Sequence, residues 1–217
     1  LEATFAGEAR ETPPPRRIAV VGAGIAGACL SWQARAQGLD ADIFSMGEGA
    51  SGNRAALVTP RLDAGNPAVS ALFADAFAYA TAFYRRVCPR AILSEGVDHA
   101  GLQPRDAARF AKIMAQDVFA PGDLTPFAAD EAPDLPGLSG LRLNAALCVR
   151  PAAVTQALLD GQTVVADAVT GWRREGETLS LVTGGGARPG YDAVVLACGA
   201  GVFALGQGGD MRPVRGQ

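Results

Sequence analysis

The sequence is poor in the side chains that most often do chemistry by themselves. It has one histidine and one lysine in 217 residues, and aromatic residues make up 6% of it. His99 has no serine, cysteine or carboxylate set beside it in a pattern of nucleophilic catalysis, and it reads as a structural residue. Cys29, Cys88, Cys148 and Cys198 lie far apart, with no C-x-x-C pair and no cysteine–histidine grouping. That spacing excludes a zinc motif or a disulfide framework and makes reduced thiols in a cytoplasmic protein, without a metal, the expectation. Apolar runs are too short or too interrupted to span a bilayer, so no membrane segment is expected. The start, Leu1-Glu2-Ala3, shows no charged-then-apolar leader and is expected to continue from a longer polypeptide. A net charge of −3 excludes a nucleic-acid binder that uses its whole surface. Arginine supplies 18 of the 19 basic residues, so any RNA contact is expected to be a local one.

Glycine, by contrast, is abundant, with 27 residues, and its placement is informative. The β-branched run Arg17-Ile18-Ala19-Val20-Val21 breaks into Gly22-Ala23-Gly24-Ile25-Ala26-Gly27 and then into a helix-forming stretch. This is the strand–turn–helix of a dinucleotide-binding βαβ unit. Gly22 permits the turn, Gly24 lets a pyrophosphate approach the backbone, and Gly27 lets the helix pack closely on the strand. The helix is expected from about Gly24 to Gln37, with Ile25, Ala28, Cys29 and Trp32 inward and Gly38 as its stop. A second strand is expected at Ala41 to Ser45. Nucleotide-binding units commonly carry an acid at its end, about 20 residues past the last glycine, to bond the ribose. This chain has Ser45 there, which offers a single hydroxyl, and Glu48 in the following loop is the alternative ribose-binding acid. Asp42 points to the opposite face from Ser45 by strand alternation.

Gly47 to Asn53 is too rich in glycine for a regular element, and Arg54 to Asp63 is expected to continue it in extended form. Apolar spacing predicts a long helix from Ala68 to Val87, with Val69, Leu72, Phe73, Ala76, Ala80, Phe83 and Val87 on its inner face. Ile92 to Gln103 reads as an irregular strand pair, Arg105 to Asp117 as a helix, Pro121 to Pro136 as loop-rich, and Leu138 to Val149 as a strand or hairpin. A helix opens at Pro151, and a short strand follows at Thr163 to Ala166. Val169 to Trp172 and Thr178 to Thr183 form a hairpin turning at Glu175-Gly176-Glu177. Tyr191 to Ala200 is an apolar strand ending in Ala197, Cys198 and Gly199, small residues against which a bulky cofactor can lie.

Taken together, the glycine fingerprint, the late meander and the Val194-to-Gly199 strand resemble the glutathione-reductase-like FAD-binding Rossmann fold of the D-amino-acid oxidase superfamily. The segment Gly49-Ala50-Ser51-Gly52-Asn53-Arg54, followed by Pro60, Phe73, Phe77 and Phe83-Tyr84, is similar to the oxidoreductase half of the bifunctional tRNA 5-methylaminomethyl-2-thiouridine biosynthesis family. Cys148-Val149-Arg150-Pro151, Val194 to Gly199 and Pro213-Val214-Arg215-Gly216-Gln217 extend the likeness from 17 to 217. The fold class implied is α/β: an FAD-binding Rossmann fold with an inserted β-meander and part of an α+β substrate domain. Residues 17–66 and 151–217 would form the FAD-binding domain, 67–150 a mixed helical, substrate-side segment, and 1–16, with Pro13-Pro14-Pro15, a linker from an N-terminal methyltransferase domain of the same polypeptide.

The resemblance also implies a chemistry: FAD-dependent oxidation of the carboxymethylaminomethyl group on the wobble uridine of a tRNA, with hydrolysis releasing glyoxylate and leaving the aminomethyl product for the methyltransferase. A cofactor that carries the difficult step fits a chain without an acid–base constellation. The implied FAD contacts are Gly22, Gly24 and Gly27 at the pyrophosphate, Ser45 or Glu48 at the ribose, Ala50, Ser51, Gly52, Asn53 and Arg54 on the flavin side, and Ala197 and Gly199 beside the cofactor. Arg54 reads either as a contact to FAD or an anionic substrate, or as a solvated arginine. No catalytic residue is implied. Ser45 in place of an acid, Ala56 in place of glycine and the end at Gln217 depart from the pattern, and the chain ending there is expected to be inactive by itself. Two other readings stay open: an FAD-dependent oxidase of free glycine, sarcosine or a D-amino acid, and a folded, non-catalytic nucleotide-binding piece.

Overall fold

The structure, a computed structural model, describes residues 15–47 and 49–209. In chain order its elements are β1 (Arg17–Val21), α1 (Ile25–Ala36), β2 (Asp40–Phe44), β3 (Ala56–Val58) and α2 (Pro67–Val87). Then come β4 (Ile92–Ala100), α3 (Asp106–Met114), β5 (Leu124–Phe127), β6 (Gly140–Val149) and α4 (Pro151–Leu158). The last are β7 (Val164–Val165), β8 (Val169–Glu175), β9 (Thr178–Thr183), β10 (Gly186–Tyr191) and β11 (Ala193–Leu196). They fall into two compact units, one made of the chain up to Gly47 and from Gln162 on, the other of the chain between.

The first unit is a parallel sheet in the order β11-β1-β2-β7. Its central strand is continuously apolar, Ile18 to Val21 being buried, as a strand covered on both faces requires. A three-stranded antiparallel meander, β10-β9-β8, joins the same core, where Ala19 and Phe44 meet Leu181 and Tyr191. Beside that core lies a polar clamp. The Tyr191 hydroxyl donates to Asp42 Oδ2 at 2.8 Å, Arg17 Nη2 donates to the same oxygen at 2.7 Å, and the Arg17 guanidinium stacks 4.7 Å from the Tyr191 ring. Burial first, and then the bond to Asp42, push the Tyr191 hydroxyl up to about 12.

Small residues turn inward on α1. Its buried stripe is Gly27, Ala28, Ser31 and Ala34, so of the four expected inner residues only Ala28 is fully covered. Gly27 brings the helix so near the sheet that small side chains fit beneath it, and Ile25, Cys29 and Trp32 are not buried with them. The helix ends as expected, with Gly38 at φ 74° and the Gly38 and Leu39 N–H groups bonded back to Arg35 and Ala34 carbonyls, a Schellman stop. β2 begins and ends one residue earlier than expected. β10 is an element that the sequence does not announce, because Gly184 to Gly186, Pro189 and Gly190 read as turn. It survives as a bulged edge strand, where proline is tolerated.

The second unit is an antiparallel sheet in which β6 pairs with β3, β4 and β5. Leu141, Leu143 and Ala146 of β6 form one core with Leu62, Phe77, Phe110, Ile113 and Leu124. Asn66 caps α2 by accepting the Ala68 and Val69 N–H groups, with Pro67 in the first turn. Its buried face is Ser70, Ala74, Phe77, Thr81 and Phe83, a stripe rotated from the expected one. Leu72 is 66% exposed, and Ser70 is tolerated inside because its hydroxyl donates to the Asp63 carbonyl at 2.7 Å. The expected strand pair at Ile92 to Gln103 is one strand. Register shifts on either side of Ser94 and Glu95, with Gly96 at φ 79°, bend it where a turn is expected. The stretch expected to be loop-rich, Pro121 to Pro136, holds the short strand β5. Gly49–Gly52 forms a 3₁₀ turn where no regular element is expected, and β3 lies within the extended stretch expected at Arg54 to Asp63. Among the described residues no helix is long and apolar enough to cross a membrane.

Candidate functional site

In the first unit the chain leaves β1, crosses through α1 to β2 and β7 on one side, and returns to the other side of β1 at β11. Strand order therefore reverses beside β1, and the carboxyl ends of strands at such a point are where doubly wound sheets bind ligands. The glycine turn stands there. Gly22 has φ 110°, its N–H donates to the Phe44 carbonyl at 2.7 Å, and the Ala197 N–H donates to the Val21 carbonyl at 2.8 Å. The turn is thus pinned to the ends of both neighbouring strands.

Two of the three glycines leave no room for a side chain. A Cβ on Gly22 would sit 2.5 Å from the Ala197 carbonyl oxygen and 2.8 Å from Cys198 Cα. A Cβ on Gly27 would overlap the Gly22 carbonyl oxygen and lie 3.4 Å from Ala197 Cβ. Gly22, Gly27 and Ala197 therefore form one close-packed cradle. Gly24 is the N-cap of α1, with extended backbone and no side-chain cap, and its carbonyl accepts the Ala28 N–H at 2.8 Å. No acidic residue stands in the first helical turn. Gly24 brings no side chain to this helix N-terminus and no acid offsets the positive end of its dipole, so the residues present fit a dinucleotide pyrophosphate.

The remaining residues singled out in the sequence are placed as follows. Ser45 lies just past β2. Its N–H donates to the Val165 carbonyl, and its hydroxyl donates to the Gly47 carbonyl at 2.9 Å and accepts the Gly47 N–H at 3.4 Å, so it closes its own turn. Gly199, at φ 54°, opens a 3₁₀ turn over Gly199–Leu205 soon after β11. Ala50, Ser51 and Gly52 belong to the 3₁₀ turn of the second unit, which packs with α4, and Asn53 and Arg54 are exposed behind it. Glu48, Pro213 to Gln217 and most of the 1–16 stretch lie outside the described residues.

The second unit holds a feature that no sequence motif marks. A cavity of about 480 Å³ opens beyond β3, lined by Thr59, Arg61, Asp63, His99, Arg109 and Leu143 among others. His99 is edge-on to Phe110 at 5.8 Å, and burial first, then the Arg109 charge, hold its imidazole below the usual range. The cavity's polar groups come from three separate chain segments, and only the arginine count hints at it.

Comparison with known proteins gives this architecture a family. Residues 17–217 match the model of the FAD dependent oxidoreductase family. Over its whole length the chain is 42% identical to a tRNA 5-methylaminomethyl-2-thiouridine biosynthesis bifunctional protein MnmC of Caulobacter sp. (strain K31), and 38% identical to the protein of the same name from Caulobacter vibrioides. It spans 36% and 37% of the length of those relatives. Among solved structures, glycine oxidase from Geobacillus kaustophilus superposes with a TM-score of 0.68 at 20% identity, over 88% of this chain and 58% of that one. L-proline dehydrogenase from P. horikoshii superposes with a TM-score of 0.71 at 14% identity, over 93% and 58%. At such identities these two likenesses carry the fold alone. With a family match over 17–217, and a glycine cradle of the shape a dinucleotide needs, the chain belongs to the FAD dependent oxidoreductase family.

Proposed function

We propose that this chain is the flavin-binding part of a tRNA-modifying enzyme that removes the carboxymethyl group from 5-carboxymethylaminomethyl-(2-thio)uridine at the wobble position, giving the aminomethyl nucleoside and glyoxylate. The observation that carries the substrate class is the 42% identity over the entire chain to a protein named for this nucleoside pathway. FAD would supply the two-electron acceptor that oxidises the amine C–N bond to an imine, water would hydrolyse that imine to the aminomethyl nucleoside and glyoxylate, and the protein's part is to bind, orient and shield. In this reading Gly22, Gly24 and Gly27 hold the pyrophosphate and Ala197 and Gly199 flank the cofactor. Ser45 or Glu48 meets the ribose, and Ala50, Ser51, Gly52, Asn53 and Arg54 line the flavin side. Residues 17–66 and 151–217 then make the FAD-binding domain and 67–150 the substrate-side segment. A methyltransferase domain elsewhere in the same polypeptide, a local tRNA contact and a cytoplasmic setting belong to the same proposal. The relatives' description as bifunctional, and their greater length, support the partner domain.

The test uses the whole protein with tRNA bearing the carboxymethylaminomethyl group, and separately with free glycine, sarcosine and D-alanine. Glyoxylate release from the tRNA, by a preparation absorbing at about 450 nm, is the expected result. Turnover of the free amino acids alone would move the chain to the amino-acid oxidases, and a colourless preparation would leave it a non-catalytic nucleotide-binding piece.

A further inference from the structure

We propose that the carboxyl end of α2, with the strand ends beside it, is an RNA-contact surface in which Arg86, Arg90 and Arg150 hold phosphates and Tyr79 stacks an unpaired base. Three stretches of the second unit converge there. The last turn of α2 carries Arg86, and the Cys88 N–H donates back to the Tyr84 carbonyl at 2.9 Å to close it. A 3₁₀ turn at Pro89–Ala91 then holds Arg90 and leads into β4, whose Ile92 is paired with Val149 of β6. Arg150 follows Val149 directly, and its N–H donates to the Ala91 carbonyl at 2.8 Å. Backbone pairing thus sets Arg150 against the residue that follows Arg90.

All three arginines are exposed, and none pairs with a carboxylate among the described residues. Glu95 of β4 is taken by Arg85, whose Nη2 donates to it at 2.7 Å. Asp75, the one acid of α2, stands about 16 Å along the helix axis from Arg86. Stability does not account for the set. A cation suits the last turn of α2, where the helix dipole is negative, but Arg150 is the N-cap of α4, the end at which a cation is disfavoured. Guanidinium forks bind phosphates through paired, charge-assisted hydrogen bonds. Tyr79 narrows that charge to RNA. Tyr79, Ala82 and Arg86 share one exposed face at helical spacing, and Tyr79 is 67% exposed. Its ring stacks on Phe83 with centroids 6.1 Å apart and planes at 11°, so it is held from beneath and open to a base. Single-stranded RNA is bound by aromatic rings for its bases and arginines for its phosphates, and a wobble nucleoside lies in a single-stranded loop. To that extent the inference rests on the proposed tRNA substrate.

The test measures binding of tRNA bearing the carboxymethylaminomethyl group to the whole protein, by fluorescence anisotropy over a series of sodium chloride concentrations. The slope of log K against log salt counts the phosphates held. Arg86→Gln, Arg90→Gln and Arg150→Gln should each lower that slope by about one, and the three together should weaken binding about tenfold or more at about 0.1 M salt. Lysine at each position keeps the charge and should keep the slope, which separates a lost charge from a lost fold. Tyr79→Ala should weaken binding about tenfold with the slope unchanged, and Tyr79→Phe should bind as wild type. A wild-type slope in the triple glutamine variant, or wild-type affinity in Tyr79→Ala, would each overturn the proposal. So would competition by polyglutamate as strong as that by unlabelled tRNA at equal charge, which would make this a surface for an acidic protein. Turnover does not enter the titration. Failure here leaves the proposed oxidation standing, and the expected loss of slope beside a failed glyoxylate assay overturns the oxidation alone.

Discussion

The two units shape their concave surfaces by opposite means. In the first, the cradle is main chain. Gly22, Gly27 and Ala197 work by having little or no side chain, and the two glycines are close in sequence because one strand, one turn and one helix deliver them. In the second, the cavity is side chain, with Thr59 after β3, His99 on β4 and Arg109 on α3, brought together by antiparallel pairing and a shared core. A backbone site tolerates no added atoms, whereas a side-chain site tolerates changes of shape and is sensitive to charge. Substitutions in the two regions should therefore fail in different ways.

The largest effect is expected from Gly27→Val. Its side chain must overlap the Gly22 carbonyl oxygen, which is backbone and cannot rotate away. Loss of about 3 kcal/mol or more of stability is expected, together with loss of the flavin absorbance of the whole protein. Denaturant titration and a visible spectrum check both. A Gly27→Val variant that stays yellow and fully stable would break the claim that main-chain packing makes this cradle.

That contrast also explains what can be read in advance. The glycine turn, the parallel unit around it and the Gly38 stop are legible because each depends on residues adjacent in sequence, with steric requirements that only glycine meets. The inner face of α1 is misleading in the sequence because hydrophobicity points to Ile25, Cys29 and Trp32, while close approach selects Gly27, Ser31 and Ala34. β10 is hidden because its glycines and proline signal a turn wherever no neighbouring strand is known. The Arg109 cavity is illegible for a plainer reason. Thr59, His99 and Arg109 are far apart in the chain, and no local rule ties an arginine to a histidine on another element.

Next in size is Leu141→Ala in the second unit. Leu141 is 1% exposed in the core around β6, and a cavity there should cost about 2–5 kcal/mol. Hydrogen exchange is expected to show lost protection across β4 and β6 while the amides of β1 keep theirs. Equal loss in both sheets would show that the division into two units does not extend to stability.

Tyr191→Phe tests the polar clamp of the first unit. It removes the bond to Asp42 at 2.8 Å and leaves the ring in place, so roughly 1–2 kcal/mol is expected. The pH dependence gives a second reading. The hydroxyl is raised from 10.0 to about 12, so the protonated form is favoured in the folded state. Its contribution is fully present below pH 10 and declines as pH rises towards 12, because the unfolded chain loses the proton first. Wild-type stability should therefore fall over that window more steeply than that of the phenylalanine variant, and parallel curves would remove Tyr191 as the cause.

The smallest effect is expected at Asp98, where the second unit has its own charged pair. Arg142 Nε and Nη2 donate to the two carboxylate oxygens at 2.7 and 2.8 Å, across the β4–β6 ladder. The bond to Arg142 is the first cause holding Asp98 below the usual carboxylate range. A lowered carboxyl contributes above its unfolded value, about 4, and the contribution is lost as pH falls through the lower folded value. Both side chains keep solvent contact, so Asp98→Asn should cost under about 1 kcal/mol at neutral pH, with the gap to wild type closing as the pH drops below about 4. Melting temperatures at about pH 7 and about pH 3 make the comparison. A gap that persists in acid would assign the loss to the altered strand, not to the charge, and would weaken the view that this unit depends on its electrostatics where the first depends on its backbone.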